Sequence, residues 1–229
     1  YCVNEQKRHM AVFNGILTGN CCEITQPTKP IQHIDDQEGE IGVCVLAAIN
    51  TLETKLDEYE SVCDIIVRML DEVIDLQEYT VIAAENFTKK RRSLAIGLTN
   101  FAAVLASKKV NYEDEQAAII ANELAENLQY YCLKASANLA GEKGPCEKFN
   151  LTKYSNGTYT LPVKNLEIEK IVPGATKDWA SLWKLIQTNG LRNSTVTAEM
   201  PCDSSSVPQN QTNGIEPVRS LLSFRKSKG

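Results

Sequence analysis

The sequence predicts an α/β protein, in which parallel strands are covered by helices. Short apolar stretches alternate along the chain with longer stretches whose apolar residues recur at helical spacing. The 229 residues are 43% hydrophobic and 23% charged, which is typical of a globular protein with a sizeable core. About four strands are visible, too few to close a barrel. We therefore expect part of a larger α/β fold.

The first strands come from two different patterns. Residues 12–17 predict a strand, a tight turn and a second strand, because their Asn-Gly pair suits a two-residue turn with positive φ. Residues 21–40 are rich in Pro, Thr, Gln and Asp and predict a loop. The nearly continuous apolar run Ile41–Ile49 predicts a strand buried on both faces.

Helices and further strands alternate over the rest of the chain. Helical spacing of apolar residues predicts helices over residues 53–76, 81–90, 101–107, 113–139 and 179–188. Gly141 and Gly144 mark the end of the fourth helix, and Asp178 is the expected N-cap of the fifth. Strands are predicted over 93–98 and 194–200, and short strands between turns over 145–176. A polar loop, residues 201–213, follows the last long strand.

Charge and composition exclude several classes of function. The net charge of −5 argues against non-specific binding of nucleic acid, and we interpret the basic run Lys89–Arg92 as a solvated helix end. The longest apolar run, residues 43–49, is far below the roughly 20 residues that span a bilayer. His9 and His33 are the two histidines, which excludes a metal site built from several histidines. We expect no metal site of any kind in this chain. The chemistry must therefore rest on cysteine, carboxylate, hydroxyl or amide groups.

The eight cysteines predict reduced thiols rather than a disulfide scaffold. Their density is low and no Cys-x-x-Cys pair occurs, which argues against a zinc ribbon or a thioredoxin motif. No secretion signal opens the chain, so we expect a cytoplasmic protein, and Cys63, Cys132 and Cys146 are predicted to be core residues. The chain starts at Tyr1 without Met and stops at Gly229 with no element completed, which suggests a fragment.

Several short motifs follow one another from Cys21 onward. They lie at residues 21–24 (CCEI), 27–30 (PTKP), 39–44 (GEIGVC), 92–97 (RSLAIG), 129–136 (QYYCLKAS), 190–195 (GLRNST), 200–201 (MP) and 212–217 (TNGIEP). In this order they resemble the catalytic α subunit of class I ribonucleotide reductase, in the form of tailed phages and enteric bacteria. The resemblance implies part of a ten-stranded α/β barrel over residues 21–229, in which a finger loop carries a thiyl-radical cysteine to the centre.

The resemblance also implies roles for individual residues. Cys21 matches the radical cysteine that abstracts the ribose 3′-hydrogen, Glu23 the carboxylate that takes the 3′-hydroxyl proton, and Cys44 one of two thiols that reduce the substrate. The loop that holds the substrate's phosphates matches Pro201, Cys202, Asp203, Ser204 and Ser205.

The residue types suit these roles. In an extended segment Cys21 and Glu23 point to the same side, so that one ribose can meet both groups. Hydroxyls and backbone N–H groups after a strand can bind phosphate, provided that the Asp203 carboxylate points away. The alternatives to these functional roles are purely structural. Cys44 would be a core residue, and residues 203–206 would be a simple turn with an N-cap.

Residues 1–20 resemble a different kind of segment, the C-terminal end of an intein. Residues 1–9 are similar to its penultimate block, and residues 14–20 followed by Cys21 are similar to its splice junction. The resemblance implies that Asn20 cyclises to cut the chain, that Cys21 receives the upstream acyl group, and that His9 transfers protons. Gly19 stands where inteins usually carry His.

The resemblance implies partners for a ribonucleoside-diphosphate reductase in a bacterial or phage-infected cytoplasm. They are a ribonucleoside diphosphate, a metal-containing small β subunit that supplies the radical, thioredoxin or glutaredoxin as reductant, the rest of the large subunit, and the N-terminal intein part. No cofactor is expected within residues 1–229, and allosteric nucleotides bind outside them. The alternatives are a non-catalytic split subunit and another thiyl-radical barrel, such as a glycyl-radical enzyme.

Overall fold

The computed structural model describes residues 10–13, 16–19, 24–157, 170–218, 220 and 222, with backbone alone for 10–13, 16–19 and 204. Its strands are β1 (Met10–Phe13), β2 (Ile16–Gly19), β3 (Val45–Asn50) and β4 (Leu94–Thr99). Its α-helices are α1 (Tyr59–Leu76), α2 (Ile82–Arg91), α3 (Phe101–Ser107), α4 (Glu115–Lys143), α5 (Trp179–Asn189) and α6 (Asp203–Ser206). Short 3₁₀ turns span Leu56–Glu58, Phe149–Leu151 and Lys153–Asn156.

The first two strands form an antiparallel hairpin. β1 pairs with β2 from Met10 opposite Gly19 to Phe13 opposite Ile16. Two strands were predicted here from the Asn-Gly pair, and the pairing confirms them. The turn residues themselves lie outside the described part.

The main sheet is parallel and confirms the predicted α/β class. β3 pairs with β4 from Val45 opposite Leu94 to Asn50 opposite Thr99. The extended segment 194–198 continues the sheet on the other side of β4, where Ile96 donates its N–H to Val196 O at 3.0 Å and accepts from Ala198 N at 3.2 Å. Parallel neighbours need helical crossovers, which α1 and α2 supply between β3 and β4, and α3 to α5 supply before residue 194.

One face of this sheet packs against the helices. Ile49, Leu94, Ile96 and Leu98 from the strands join residues of α1 and α4 in one buried core. α1 packs along α4, and α4 packs along α5. Cys63, Cys132 and Cys146 are buried, as predicted for core residues.

Several predicted boundaries were wrong. β3 begins at Val45 rather than Ile41, and it is not buried on both faces, because Leu46 on its second face is 54% exposed. The α-helix predicted from residue 53 begins at Tyr59 after a 3₁₀ turn. α4 continues through Gly141 and ends at Lys143. The next residue, Gly144, has a φ of 83°, which is unfavourable for a residue with a side chain. In the described part of 145–176, the short elements are 3₁₀ turns instead of strands.

The prediction of a solvated helix end at Lys89–Arg92 was wrong for its last two residues. Arg91 pairs with Glu40 at 2.9 Å, and both side chains are 11% exposed. Arg92 is buried and donates to Asp71 of α1 at 2.6 Å. Neither ion pair was predicted, because both acidic partners lie far away along the chain.

The described residues contain neither a membrane-spanning helix nor a cluster of metal-binding side chains. No helix there is both long enough and apolar enough to cross a bilayer. In the same part of the chain, no three His, Cys, Asp or Glu side chains converge in a way that would hold a metal ion.

Candidate active site

The second face of the sheet carries small side chains and two thiols. Its buried cluster consists of Ala95, Ala198, Met200 and Cys202, and Ile24, Cys44 and Ala48 pack against it. Gly97 lies in the same region, where an added Cβ would stand 2.4 Å from Ala198 O. The small residues therefore let the segment 194–200 approach β4 closely and leave room above the sheet. We call this set the inner cluster.

Cys44 packs against the same buried cluster as Ile24, the residue that follows Glu23. It is half-buried and immediately precedes β3, so its predicted place within a buried strand was wrong. Ile24 and Cys44 belong to the inner cluster, together with Cys202 of the predicted phosphate loop. The structure thus brings together three chain segments to which the sequence assigned functional residues.

The chain on either side of the 30–39 loop runs antiparallel. Lys29 and Glu40 exchange two backbone hydrogen bonds, each of 3.0 Å. Gln26 reaches across the same pair of segments and donates to Val43 O at 3.5 Å. This pairing fixes Ile24 close to Cys44. Four predicted site residues, His9, Asn20, Cys21 and Glu23, lie outside the described residues.

The predicted phosphate loop is held together by Asn213. Its side-chain oxygen accepts from the backbone N–H of Cys202, and its Nδ2 donates to Asp203 Oδ1 at 2.9 Å. The Asp203 carboxylate therefore faces Asn213. Pro201, Asp203 and Ser205 are exposed, whereas Cys202 is buried.

Helix α6 begins within this loop. Residues 203–206 form a single helical turn, as the alternative of a simple turn expected, and Cys202 stands at its N-cap position without a side-chain capping bond. Ser206 N donates to Cys202 O at 2.9 Å, and Ser205 Oγ donates to the same oxygen at 3.4 Å. The Ser205 hydroxyl thus lies at the surface, beside the first turn.

The end of the loop is fastened to the carboxyl ends of β3 and β4. Thr212 donates its N–H to Asn100 Oδ1 at 3.1 Å, and Asn100 N donates to Thr212 O at 3.1 Å. Asn100 has a φ of 71° and also donates to Asn50 Oδ1 at 3.1 Å. Beside these residues is a cavity of about 500 Å³, whose lining includes Asn50, Asn100, Gln209 and Gln211. Sequence reasoning gave no role to Asn100 or Asn213, although a lone Asn between a strand and a helix is a recognisable signal for positive φ.

Cys202 is a protonated thiol under ordinary conditions. Burial raises its pKa, although a hydrogen bond with Thr99 opposes the shift. Its Sγ donates to Met200 O at 3.5 Å. Cys202 is therefore suited to packing the base of the loop, because the thiolate is the reactive form of cysteine.

The parallel strands β3 and β4, with helices packed against one face of their sheet, define an α/β protein. The model of the family described as ribonucleotide reductase, barrel domain, matches residues 3–229, and the chain belongs to this family. The match includes most of residues 1–20 as well as the motifs from Cys21 onward.

Curated relatives carry names that agree with the family. The chain is 46% identical over 210 residues to the ribonucleoside-diphosphate reductase subunit alpha of Haemophilus influenzae, which covers 91% of the chain and 28% of that protein. It is 42% identical over 212 residues to the subunit of the same name from Enterobacteria phage T4, covering 91% of the chain and 27% of the phage protein. The chain thus spans little more than a quarter of the length of these relatives.

Proposed function

We propose that these residues form part of the catalytic large subunit of a ribonucleoside-diphosphate reductase. Family membership and the names of the relatives support this class of enzyme. The observation that carries the proposal is the packing of Ile24, Cys44 and Cys202 in one cluster. It brings the segment after Glu23, the proposed reducing thiol and the proposed phosphate loop to one place.

In the proposed reaction, one hydrogen atom and two thiols do the chemistry. A thiyl radical on Cys21, generated through a metal-containing small subunit, abstracts the 3′-hydrogen of the ribose, and Glu23 takes the 3′-hydroxyl proton. The 2′-hydroxyl leaves as water while Cys44 and a second thiol outside this chain are oxidised to a disulfide. The 3′-hydrogen then returns from Cys21, and thioredoxin or glutaredoxin reduces the disulfide for the next cycle.

The phosphates of the substrate are proposed to lie at residues 201–205. The first backbone N–H groups of the turn are proposed as donors, and the exposed Ser205 hydroxyl would donate to a phosphate in place of its 3.4 Å bond to Cys202 O. The Asp203 carboxylate faces Asn213, which reduces its repulsion of an anion. Allosteric nucleotides are proposed to bind in parts of the subunit outside residues 1–229.

The experiment uses the complete large subunit that contains these residues, its small subunit, and a dithiol reductant. Cys44→Ser should abolish multiple turnover of cytidine diphosphate, because a hydroxyl cannot form the disulfide, while leaving substrate affinity unchanged. Cys146→Ala, which changes a buried thiol outside the inner cluster, should retain turnover. Equal turnover by Cys44→Ser and the unmodified enzyme would contradict the proposal.

Two alternatives predict different outcomes. A non-catalytic split subunit would bind the remainder of the large subunit without restoring turnover, and another thiyl-radical enzyme would act on a different substrate.

Residues 1–229 alone are expected to give no deoxynucleotide, because the second thiol and the remaining barrel strands are missing. Turnover by this isolated chain would refute the need for its partners.

We also propose that residues 1–20 take part in protein splicing, with His9, Asn20 and Cys21 as the reacting groups. The hairpin supports this because Met10 pairs with Gly19, and these are the chain neighbours of His9 and Asn20. Asn20→Ala should stop cleavage after residue 20 and leave a reconstituted enzyme inactive. Full reductase activity with residues 1–20 still attached would show that they belong to the barrel, as the family match from residue 3 allows.

A further inference from the structure

Gln26 connects two chain segments that lead to proposed catalytic groups. It is half-buried, three residues after Glu23, and its Nε2 donates to Ser93 Oγ at 2.6 Å and to Val43 O at 3.5 Å. Val43 immediately precedes Cys44. A single side-chain amide therefore joins the segment after Glu23, the segment before Cys44 and the start of β4.

The hydrogen bond to Ser93 continues to a second hydroxyl, that of Thr195. Ser93 is 1% exposed, and its hydroxyl lies 2.6 Å from Thr195 Oγ1. Ser93 Oγ accepts from Gln26, and Thr195 Oγ1 also lies 3.3 Å from Leu94 O. The amide is thereby fixed to the first residues of β4 and of the segment 194–200, which belong to the buried part of the sheet.

Packing around the other end of the amide is equally close. A Cβ at Gly42 would stand 2.7 Å from Gln26 Oε1, so the backbone before Cys44 lies directly against this side chain. Ile24, two residues before Gln26, packs on the inner cluster beside Cys44. Residues 24–26 thus pack near residues 42–44 through the apolar side chain of Ile24 and the polar side chain of Gln26.

We propose that Gln26 is a positioning residue of the reductase, which holds residues 42–44, and with them the Cys44 thiol, against residues 24–26 and Ser93. This inference rests on the proposed function. Gln26 touches neither reacting atoms nor substrate in this assignment; it acts by holding the two segments at a set separation. A misplacement of about 1 Å between reacting groups lowers rates about 100-fold, whereas loss of one half-buried hydrogen bond leaves the protein folded.

The test measures steady-state kinetics of the complete enzyme with Gln26→Leu, Ser93→Ala and the double variant. Each single variant should lower kcat by about 10- to 100-fold while KM for cytidine diphosphate changes less than about twofold. The double variant should be no slower than the slower single variant, since both remove the same hydrogen bond. Gln37→Leu, which removes an exposed glutamine bonded to Asp35 O, is the matched control and should retain full kcat.

A second measurement does not depend on turnover. Alkylation of Cys44 by iodoacetamide, followed by peptide mass spectrometry, should be several-fold faster in Gln26→Leu than in Gln37→Leu, because the residues before Cys44 are no longer held. Inactivity of the unmodified complete enzyme would refute the proposed function, and the labelling rates would still decide whether Gln26 holds the Cys44 segment. Unchanged kcat and unchanged labelling in both Gln26→Leu and Ser93→Ala would overturn the inference.

Discussion

Asp71 and Arg92 form an ion pair inside the core, with Arg92 Nε 2.6 Å from Asp71 Oδ1 and the Asp71 side chain fully buried. Arg192 donates to the second Asp71 oxygen at 3.1 Å, and Asn193 donates to Oδ1 at 3.2 Å. Asn193 is also bonded to Ser136 of α4 through a 2.9 Å hydrogen bond. This network joins α1, α4, the start of β4 and the segment 190–195, and it explains physically why the motifs at 92–97, 129–136 and 190–195 occur together.

Asp71→Asn should destabilise the protein by about 3 kcal/mol, because it removes the fully buried carboxylate of the network and leaves Arg92 with the partly exposed Asp75 as its remaining counter-charge. The free energy of unfolding from urea titration checks this value. Glu38→Gln is the control, since it breaks the exposed Lys29–Glu38 pair and should change stability by less than about 1 kcal/mol. Similar losses for the two variants would show that the buried network is not a main source of stability.

Gly97→Ala should destabilise the sheet by about 1–3 kcal/mol, since its Cβ would collide with the Ala198 carbonyl at 2.4 Å and with Met200 Sδ at 2.7 Å. Gly174→Ala adds the same methyl group where nothing lies within 4 Å, and it should be neutral. Thermal unfolding of the two variants compares them. An unchanged midpoint for Gly97→Ala would mean that the segment 194–200 does not lie so close to β4.

Asp75 should contribute to the loss of stability in acid. A hydrogen bond from Arg92 lowers the pKa of its carboxyl below the ordinary value, although partial burial opposes the shift. Because the folded-state pKa is the lower one, the contribution is complete above the unfolded pKa of about 3.9 and is lost as the pH falls through the folded value. Asp75→Asn should therefore reduce the dependence of unfolding free energy on pH below about 4, by less than about 1 kcal/mol for this partly exposed group. If the unfolding free energy of Asp75→Asn depended on pH as steeply as that of the unmodified protein, the Arg92–Asp75 ion pair would not contribute to stability.

Asn213→Asp should weaken substrate binding in the complete enzyme. It retains an acceptor for Cys202 N but removes the donor to Asp203, and it places a second carboxylate where phosphate is proposed to bind. We expect KM for cytidine diphosphate to rise about tenfold, with a smaller change in kcat. Asn210→Asp adds the same charge farther along the loop and serves as the control. A larger effect of the control would place the phosphates elsewhere.

The sequence predicted elements best where the pattern was local. Phe101–Ser107 was predicted with its observed limits, and Asp178 caps α5 by accepting from Ser181 N at 3.0 Å, as its position suggested. The burial of Arg92 was missed because its partner Asp71 lies far away in the sequence. The exposure of Leu46 was missed because it depends on which distant segments cover that face of the sheet. The same reason hides Gln26 and Asn213, whose roles arise only when separate segments meet.

We propose that the sulfur of Cys21 removes the 3′-hydrogen of a ribonucleoside diphosphate beside Cys44. The most direct measurement is reduction of 3′-deuterated cytidine diphosphate by the complete enzyme and by its Cys21→Ser variant. We expect slower turnover with deuterium than with hydrogen, return of the label to the product's 3′-position, and no product from Cys21→Ser. Product formation by Cys21→Ser, at a rate independent of the deuterium, would contradict the account.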